Sequence, residues 1–298
     1  VNNVAGIVRG TSDEYLVIGA HYDHLGLGEQ DSLAPSLAGQ VHPGADDNAS
    51  GAAGLLELAR MFAARRQTLR RSVILLAFAG EELGLLGSDH FAKHPLRPLE
   101  KAVAMINLDM IGRVRNSKLY VGGVGTGSSF KPLLEAALQG FPFQVDYSAG
   151  GYDSSDHTSF ALRQVPVLFF FSGLHGDYHK PSDTPDKIDG PGTARLLDLV
   201  FEVAGKLEKA PERPTFVRVT EPRPAAVGSA GGGYGPYFGS IPDFGQVENG
   251  VKFADVRDGS PAAKAGLKAG DVLVEFDSKP IKNLYDFTYA LRSRKPGD

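Results

Sequence analysis

The sequence predicts an α/β chain: a mixed, mostly parallel sheet sandwiched between helices, followed by a small β-rich unit. Short apolar runs without polar alternation, helical patterns between them, and a change of texture after Lys209 carry that reading. Tyr15 to Ala20, Ser72 to Ala79, Ala102 to Leu108 and Val165 to Phe171 have strand length and a β-branched or aromatic bias, as strands buried on both faces do. Ala49 to Arg65, Leu83 to Lys93, Phe130 to Leu138 and Thr193 to Leu207 read as amphipathic helices, the first with Asp47, Asn48 or Ser50 available as an N-cap. Strands alternating with helices imply a sheet covered on both sides, with ligands beyond the carboxyl ends of the strands.

Between Ala210 and Gly235 lie Pro211, Pro214, Pro222, Pro224 and a Gly-rich run, a composition that connects cores and seldom forms one. The expected organisation is therefore a domain over 1–212, a linker over 213–235 and a second domain over 236–298. The last has strands at Val251 to Val256 and Val272 to Phe276 and a helix at Leu284 to Arg292. Length supports two cores, since 298 residues at about 100–200 per domain is a two-domain chain.

Composition narrows the chemistry. Lys plus Arg number 31 and Asp plus Glu 35, a formal net charge of −4 that gives no basic field for nucleic acid phosphates. At 42% hydrophobic and 22% charged the chain is neither disordered nor fibrous, and no apolar run reaches the roughly 20 residues of a membrane span. Cysteine is absent, which removes disulfides, thiol nucleophiles and Cys-type metal sites, so any metal must be held by His, Asp and Glu. Val1 to Arg9 reads as the middle of a longer chain, and a secreted or cell-envelope location is expected.

Four strand ends deliver His or carboxylate groups to one edge of the sheet. His21-Tyr22-Asp23 follows the first strand, and in extended chain His21 and Asp23 project to the same side. His21 reads as a metal ligand with Asp23 as the carboxylate that orients it. Glu81-Glu82 follows the second strand, Asp109 ends the third, and His179 follows the fourth after a short loop. Adjacent carboxylates at the end of an apolar strand repel unless a cation, a shared proton or solvent relieves them. With Asp46 from the turn-rich segment Pro43 to Gly51, the set His21, Asp46, Glu82, Asp109 and His179 can hold two divalent ions if one carboxylate bridges. Nitrogen and oxygen donors suit zinc, with cobalt or manganese less favoured, and paired ions are a hydrolytic device.

At these residues the sequence resembles the co-catalytic di-zinc aminopeptidase family, which includes secreted bacterial leucyl aminopeptidases and the glutamate carboxypeptidase ectodomains. The matching segments, in family order over about residues 1–208, are Gly19 to Asp23, Gly44 to Gly51, Ala79 to Ser88, Asn107 to Met110 and Tyr178 to Thr184. The resemblance implies a zinc-peptidase fold and two zinc ions bridged by Asp46, with His21 and Asp109 completing one site and Glu82 and His179 the other. It implies hydrolysis of N-terminal residues from peptides through a metal-bridging water, with Glu81 as general base, Asp23 behind the first histidine and Tyr152 supporting the oxyanion. The competing expectations are a carboxypeptidase-type exopeptidase, a mono-zinc glutaminyl cyclase and a non-catalytic scaffold.

His90 and His94, four apart on a helix, read as surface residues, and Asp183 and Asp186 as shaping the loop that holds His179. No role is assigned to His24, His42 or His175. Gly259 to Leu273 resembles the signature of a PDZ domain, and Gly235 to Gly239 its carboxylate-binding loop, which makes Tyr237, Phe238 and Gly239 the candidate contacts for a protein C-terminus or an extended peptide.

Overall fold

The computed structural model describes the chain except residues 1, 30, 33, 152–154, 174, 220–237, 243–248, 257–258, 283–285, 288–289, 292–293, 296 and 298. It divides into two compact units, Val1–Val219 and Thr220–Asp298.

The first unit is built on a seven-stranded sheet in the order β1-β3-β2-β4-β7-β5-β6. Its strands are β1 (Val4–Val8), β2 (Tyr15–His21), β3 (Ser72–Phe78), β4 (Ala102–Leu108), β5 (Lys118–Gly122), β6 (Gln144–Tyr147) and β7 (Val167–Phe171). β3, β2, β4 and β7 run parallel, so their carboxyl ends share one edge. β1 pairs antiparallel with β3, and β5 antiparallel with β7, which makes the sheet mixed.

The helices are α1 (Gly51–Ala64), α2 (Leu86–Lys93), α3 (Phe130–Leu138), α4 (His157–Ala161) and α5 (Gly190–Lys209). Leu16, Ile18 and Ala20 of β2 pack with Leu58 and Phe62 of α1 and Val200 and Leu207 of α5, whereas Tyr15 and Val17 face Phe91 of α2 and Phe160 of α4. Burial on both faces is the reason β2, β3 and β4 lack polar alternation. Each Leu, Ile or Phe so enclosed contributes about 1.5–3 kcal/mol by leaving water.

The structure departs from the sequence expectation in three respects. β1, β5 and β6 lie outside the expected strands: β1 is apolar but short and largely exposed, while β5 and β6 mix polar with apolar residues. The helix expected from Leu83 begins at Leu86, because Gly80, Gly84 and Leu85 take positive φ and wrap Glu81 and Glu82 into a turn. The linker expected from residue 213 starts later: Val217 N donates to the Thr126 carbonyl at 2.8 Å and Ser128 N to that of Thr215 at 3.0 Å, so the chain stays with the first unit through Val219.

At the amino end of β3 the buried Arg71 donates through Nε to Glu14 at 2.8 Å and through Nη1 to the Leu207 and Ala210 carbonyls, both at 2.7 Å. This ion pair lies at the opposite ends of the strands from the histidines and acids above.

The second unit contains β8 (Ser240–Pro242), β9 (Val251–Val256), α6 (Pro261–Lys264), β10 (Val272–Leu273), β11 (Glu275–Phe276) and β12 (Lys279–Pro280). Val251, Phe253, Ala262, Ile281 and Phe287 form its core. The single strand expected over Val272 to Phe276 is two short ones, and the helix expected over 284–292 lies partly outside the described residues. Among the described residues, no helix is long and apolar enough to cross a membrane.

Candidate metal centre

Each parallel strand stops at the same edge and hands a polar residue to one cluster. His21 is the last residue of β2, Asp109 follows β4 directly, Glu81 and Glu82 sit in the turn after β3, and His179 follows β7 in a loop. Asp47 comes from the irregular turn that precedes α1. There Asn48 acts as the cap: its Oδ1 accepts from Gly51 N at 3.0 Å and Met110 N at 3.2 Å, and its Nδ2 donates to the Leu108 carbonyl at 3.0 Å. One amide thus ties the start of α1 to the end of β4.

At the centre, His21 Nε2 lies 3.3 Å from Asp47 Oδ1 and 3.4 Å from Asp109 Oδ1, and His179 Nε2 lies 3.2 Å from both Asp47 Oδ2 and Glu82 Oε2. Tetrahedral zinc with bonds of about 2.0–2.2 Å sets neighbouring ligand atoms about 3.3–3.6 Å apart. The four separations match that edge and exceed an ordinary charge-assisted hydrogen bond of about 2.7–2.9 Å. Asp47 Oδ2 and Asp109 Oδ1 are buried, and neither receives a well-formed hydrogen bond. Groups of this kind are costly unless a cation meets them. The residues fit zinc: His21, Asp47 and Asp109 form one group able to hold a cation, and His24, Asp47 and Glu82 another, with His179 Nε2 beside both carboxylates of the second.

The opposite side of each ligand is held at true hydrogen-bond distance. His21 Nδ1 lies 3.1 Å from the Asp23 carbonyl and His179 Nδ1 3.0 Å from that of Asp31, so each ring donates through Nδ1 and turns Nε2 toward the cluster. His24 Nδ1 lies 2.8 Å from Glu82 Oε1, which leaves Oε2 toward His179. Ser155 Oγ donates to Asp109 Oδ2 at 2.8 Å and receives from Asn107 Nδ2 at 2.7 Å. Sequence reasoning passed over His24, Asn107 and Ser155; the second histidine of His21-Tyr22-Asp23-His24 was the available signal.

Two expectations change. Asp47, and not Asp46, stands between the two histidines. Asp46 turns away, its Oδ1 accepting from Gly112 N at 2.6 Å and its Oδ2 lying 3.0 Å from His175 Nε2. The two are neighbours in a non-repetitive turn, so their side chains diverge, and composition says nothing of which points inward. Asp23 supports His21 through its backbone carbonyl, while its carboxylate accepts Glu81 N at 3.1 Å and Glu82 N at 3.3 Å. It therefore shapes the glutamate turn. Tyr152 and Tyr237 lie outside the described residues. His90 and His94 are exposed on α2 and its C-cap, away from this cluster.

Charge is strongly perturbed here. Burial pushes Glu81 well above the usual carboxylate range, with Glu82, Asp156 and Asp109 adding to the rise and His21 opposing it. Burial likewise holds Asp156 up at about 7. Burial would lower His179, but Asp47 and Glu82 outweigh it and raise the ring to about 10. Raised above its ordinary 6.5, this pairing stabilises the metal-free protein fully below about pH 6.5 and is lost as pH climbs through about 10. The thermal midpoint of chelated protein should fall across that window, and zinc should suppress the fall; a flat metal-free profile would contradict the pairing.

Residues 3–204 match Peptidase family M28 and residues 242–298 match a PDZ domain. The chain therefore belongs to Peptidase family M28 and carries a PDZ domain after the peptidase unit. It is 31% identical over 218 residues to uncharacterized protein YfbL of Escherichia coli K12, across 62% of this chain and 65% of that protein. It is 30% identical over 188 residues to aminopeptidase YwaD of Bacillus subtilis, across 59% of this chain and 40% of that one. Among solved structures, a zinc aminopeptidase from Bacillus subtilis superposes with a TM-score of 0.57 at 26% identity, covering 71% of this chain and 51% of that one. The chain thus spans less than two thirds of the length of these curated relatives.

In the PDZ unit, the Phe238 ring packs on Phe276 and Phe287 at 5.7 and 5.6 Å between centroids, and its carbonyl accepts from Ala262 N at 3.0 Å. Gly239 takes φ +86°, a turn that a side chain would strain.

Proposed function

We propose that this chain is a zinc-dependent aminopeptidase that removes N-terminal residues from peptides at a two-ion centre. The observation that carries the reading is the chain of ligand-atom separations of 3.2–3.4 Å running Asp109–His21–Asp47–His179–Glu82, with Asp47 Oδ2 and Asp109 Oδ1 buried and lacking well-formed hydrogen bonds. His21, Asp47 and Asp109 would hold one zinc, and His179, Asp47 and Glu82 the other. Bound there, zinc supplies Lewis acidity toward the scissile carbonyl and a water acidic enough to react near neutral pH.

The chain's own residues do the rest. Glu81, beside the ligands but held by the Asp23 brace, takes a proton from the attacking water on its carboxylate and returns it to the leaving amine. Its raised proton affinity makes the carboxylate a better acceptor for the water proton. Asp23 fixes the Glu81–Glu82 turn, while the Asp23 and Asp31 carbonyls fix the ring orientation of the two histidines. The names of the relatives support cleavage from the amino terminus. The PDZ unit would bind a protein C-terminus or extended peptide, its Phe238–Gly239 backbone lying in the segment that resembles the carboxylate-binding loop, and so raise local substrate concentration.

Elemental analysis with release of aminoacyl chromophores tests the reading. Two zinc ions per chain and chelator-sensitive turnover are expected. One ion with cyclisation of N-terminal Gln, release from the carboxyl end only, or no tightly held ion would each replace this assignment with another.

A further inference from the structure

The turn carrying Asp47 and the loop carrying His179 reach the centre from different parts of the chain, and one buried guanidinium joins them. Arg113 lies five residues beyond β4 and is 5% exposed. Its Nη1 donates to Asp177 Oδ2 at 2.6 Å and its Nη2 to Asp183 Oδ1 at 2.5 Å. Asp183 is fully buried, and its second oxygen accepts both Asp46 N at 2.9 Å and Asp47 N at 3.1 Å. Asp177 N reaches His175 Nδ1 at 3.3 Å, and His175 Nε2 lies 3.0 Å from Asp46 Oδ2. His175 therefore accepts at Nδ1 and donates at Nε2. The bonds close a ring: Arg113, Asp183, the Asp46 backbone, the Asp46 carboxylate, His175, Asp177 and back to Arg113.

We propose that Arg113 is a positioning residue for the cation centre. Through Asp183 it fixes the backbone from which Asp47 projects, and through Asp177 it fixes the loop that carries His179. Asp47 and His179 are donors that the site containing Glu82 takes from outside the turn after β3, so their relative placement sets that site. This inference rests on the two-ion reading above.

Two physical points support it. A planar guanidinium can bond two carboxylates through separate nitrogens at fixed spread, which a single ammonium does less well. Asp46, Asp47 and Asp183 are three buried acids joined by the Asp183 bonds to Asp46 N and Asp47 N, and Arg113 supplies positive charge that stays in place when the centre is empty. Removing that charge would let the turn relax away from His179 by the few tenths of an ångström that a ligand shell does not tolerate. Sequence alone marked Asp183 as loop-shaping but gave Arg113 no role.

The test titrates chelated full-length protein with Co2+ alone, followed by visible absorption and calorimetry, in wild type, Arg113→Lys, Asp183→Asn, Asp177→Asn and Arg71→Lys. Asp183→Asn keeps an oxygen for the Asp46 and Asp47 N–H groups while presenting an amide to Arg113. Wild type should take up two equivalents. Arg113→Lys and Asp183→Asn should weaken at least one ion about 10–100-fold and alter the cobalt bands, with kcat of zinc-saturated enzyme falling more than KM rises. Asp177→Asn removes one of two partners and should give a smaller shift, which preserves the test if a more severe variant does not fold. Arg71→Lys should lower the thermal midpoint while leaving bands and affinity at wild-type values. Cobalt titrations of the Arg113 and Asp183 variants that overlay wild type, or an Arg71 variant that changes the bands equally, would overturn the assignment. If wild type binds no cobalt at this cluster, the two-ion reading fails, and the inference fails with it.

Discussion

Asp47→Ala should leave a protein that retains neither ion tightly and hydrolyses aminoacyl substrates no faster than background, whereas Asp46→Ala should keep both ions and much of its turnover. The contrast follows from which oxygens face the histidines. Asp47 places Oδ1 3.3 Å from His21 Nε2 and Oδ2 3.2 Å from His179 Nε2, so one carboxylate serves both sites and its loss removes a donor from each. A catalytic zinc site is held by three protein donors with water in the fourth position, and without Asp47 each site would keep only two, His21 with Asp109 and His179 with Glu82. Asp46 offers its oxygens to Gly112 N and His175 instead. Truncating it breaks two hydrogen bonds to a charged acceptor, at about 1.5–3 kcal/mol each, which lowers the thermal midpoint without deleting a ligand. Metal content and thermal midpoint measured together separate the two effects. Full zinc retention in Asp47→Ala, or loss of both ions in Asp46→Ala, would return the bridging role to Asp46.

That pair of residues also marks how far the sequence could be read. The sheet was legible because β2, β3, β4 and β7 bury both faces and must be continuously apolar; their polar terminal residues then had to share one edge. His21, Glu82, Asp109 and His179 were accessible by that route. Asp46 and Asp47 were not separable, since both sit in a turn with no period to assign a side. The roles of Ser155, His24 and Arg113 depend on contacts across 46, 58 and 64–70 residues of sequence, which no local pattern encodes. β1, β5 and β6 were missed for a simpler reason: each has only four or five residues, and β5 and β6 carry polar residues that break the apolar run identifying the longer interior strands. Asp23 shows a subtler limit. Its position behind His21 was legible, but the contact is made by the carbonyl, and the carboxylate is spent on the glutamate turn.

Glu81→Gln should bind two zinc ions as wild type does while kcat falls by about 10²–10⁴, the range that removal of a positioned general base produces. Glutamine preserves the volume and one oxygen but has no carboxylate to accept a proton from water. The prediction is sharp because Glu81 stands close enough to the cluster for a different role: with His21 and Glu82 it offers ligand atoms that lie within 4.8 Å of one another. Ligand and base make opposite forecasts for metal content. A ligand replaced by an amide weakens its ion, whereas a base replaced by an amide leaves the ion and stops the chemistry. The Asp23 brace favours the second outcome, since it holds the backbone of Glu81 and Glu82 in one turn where Glu82 already faces His179 and Glu81 stands beside it. Glu81→Asp sharpens the comparison: a carboxylate one methylene shorter keeps the proton affinity and loses the reach, so it should recover only part of the rate, with KM little changed. Loss of one zinc in Glu81→Gln, or turnover within tenfold of wild type, would assign Glu81 to the coordination shell or to packing and leave the proton transfer to another group.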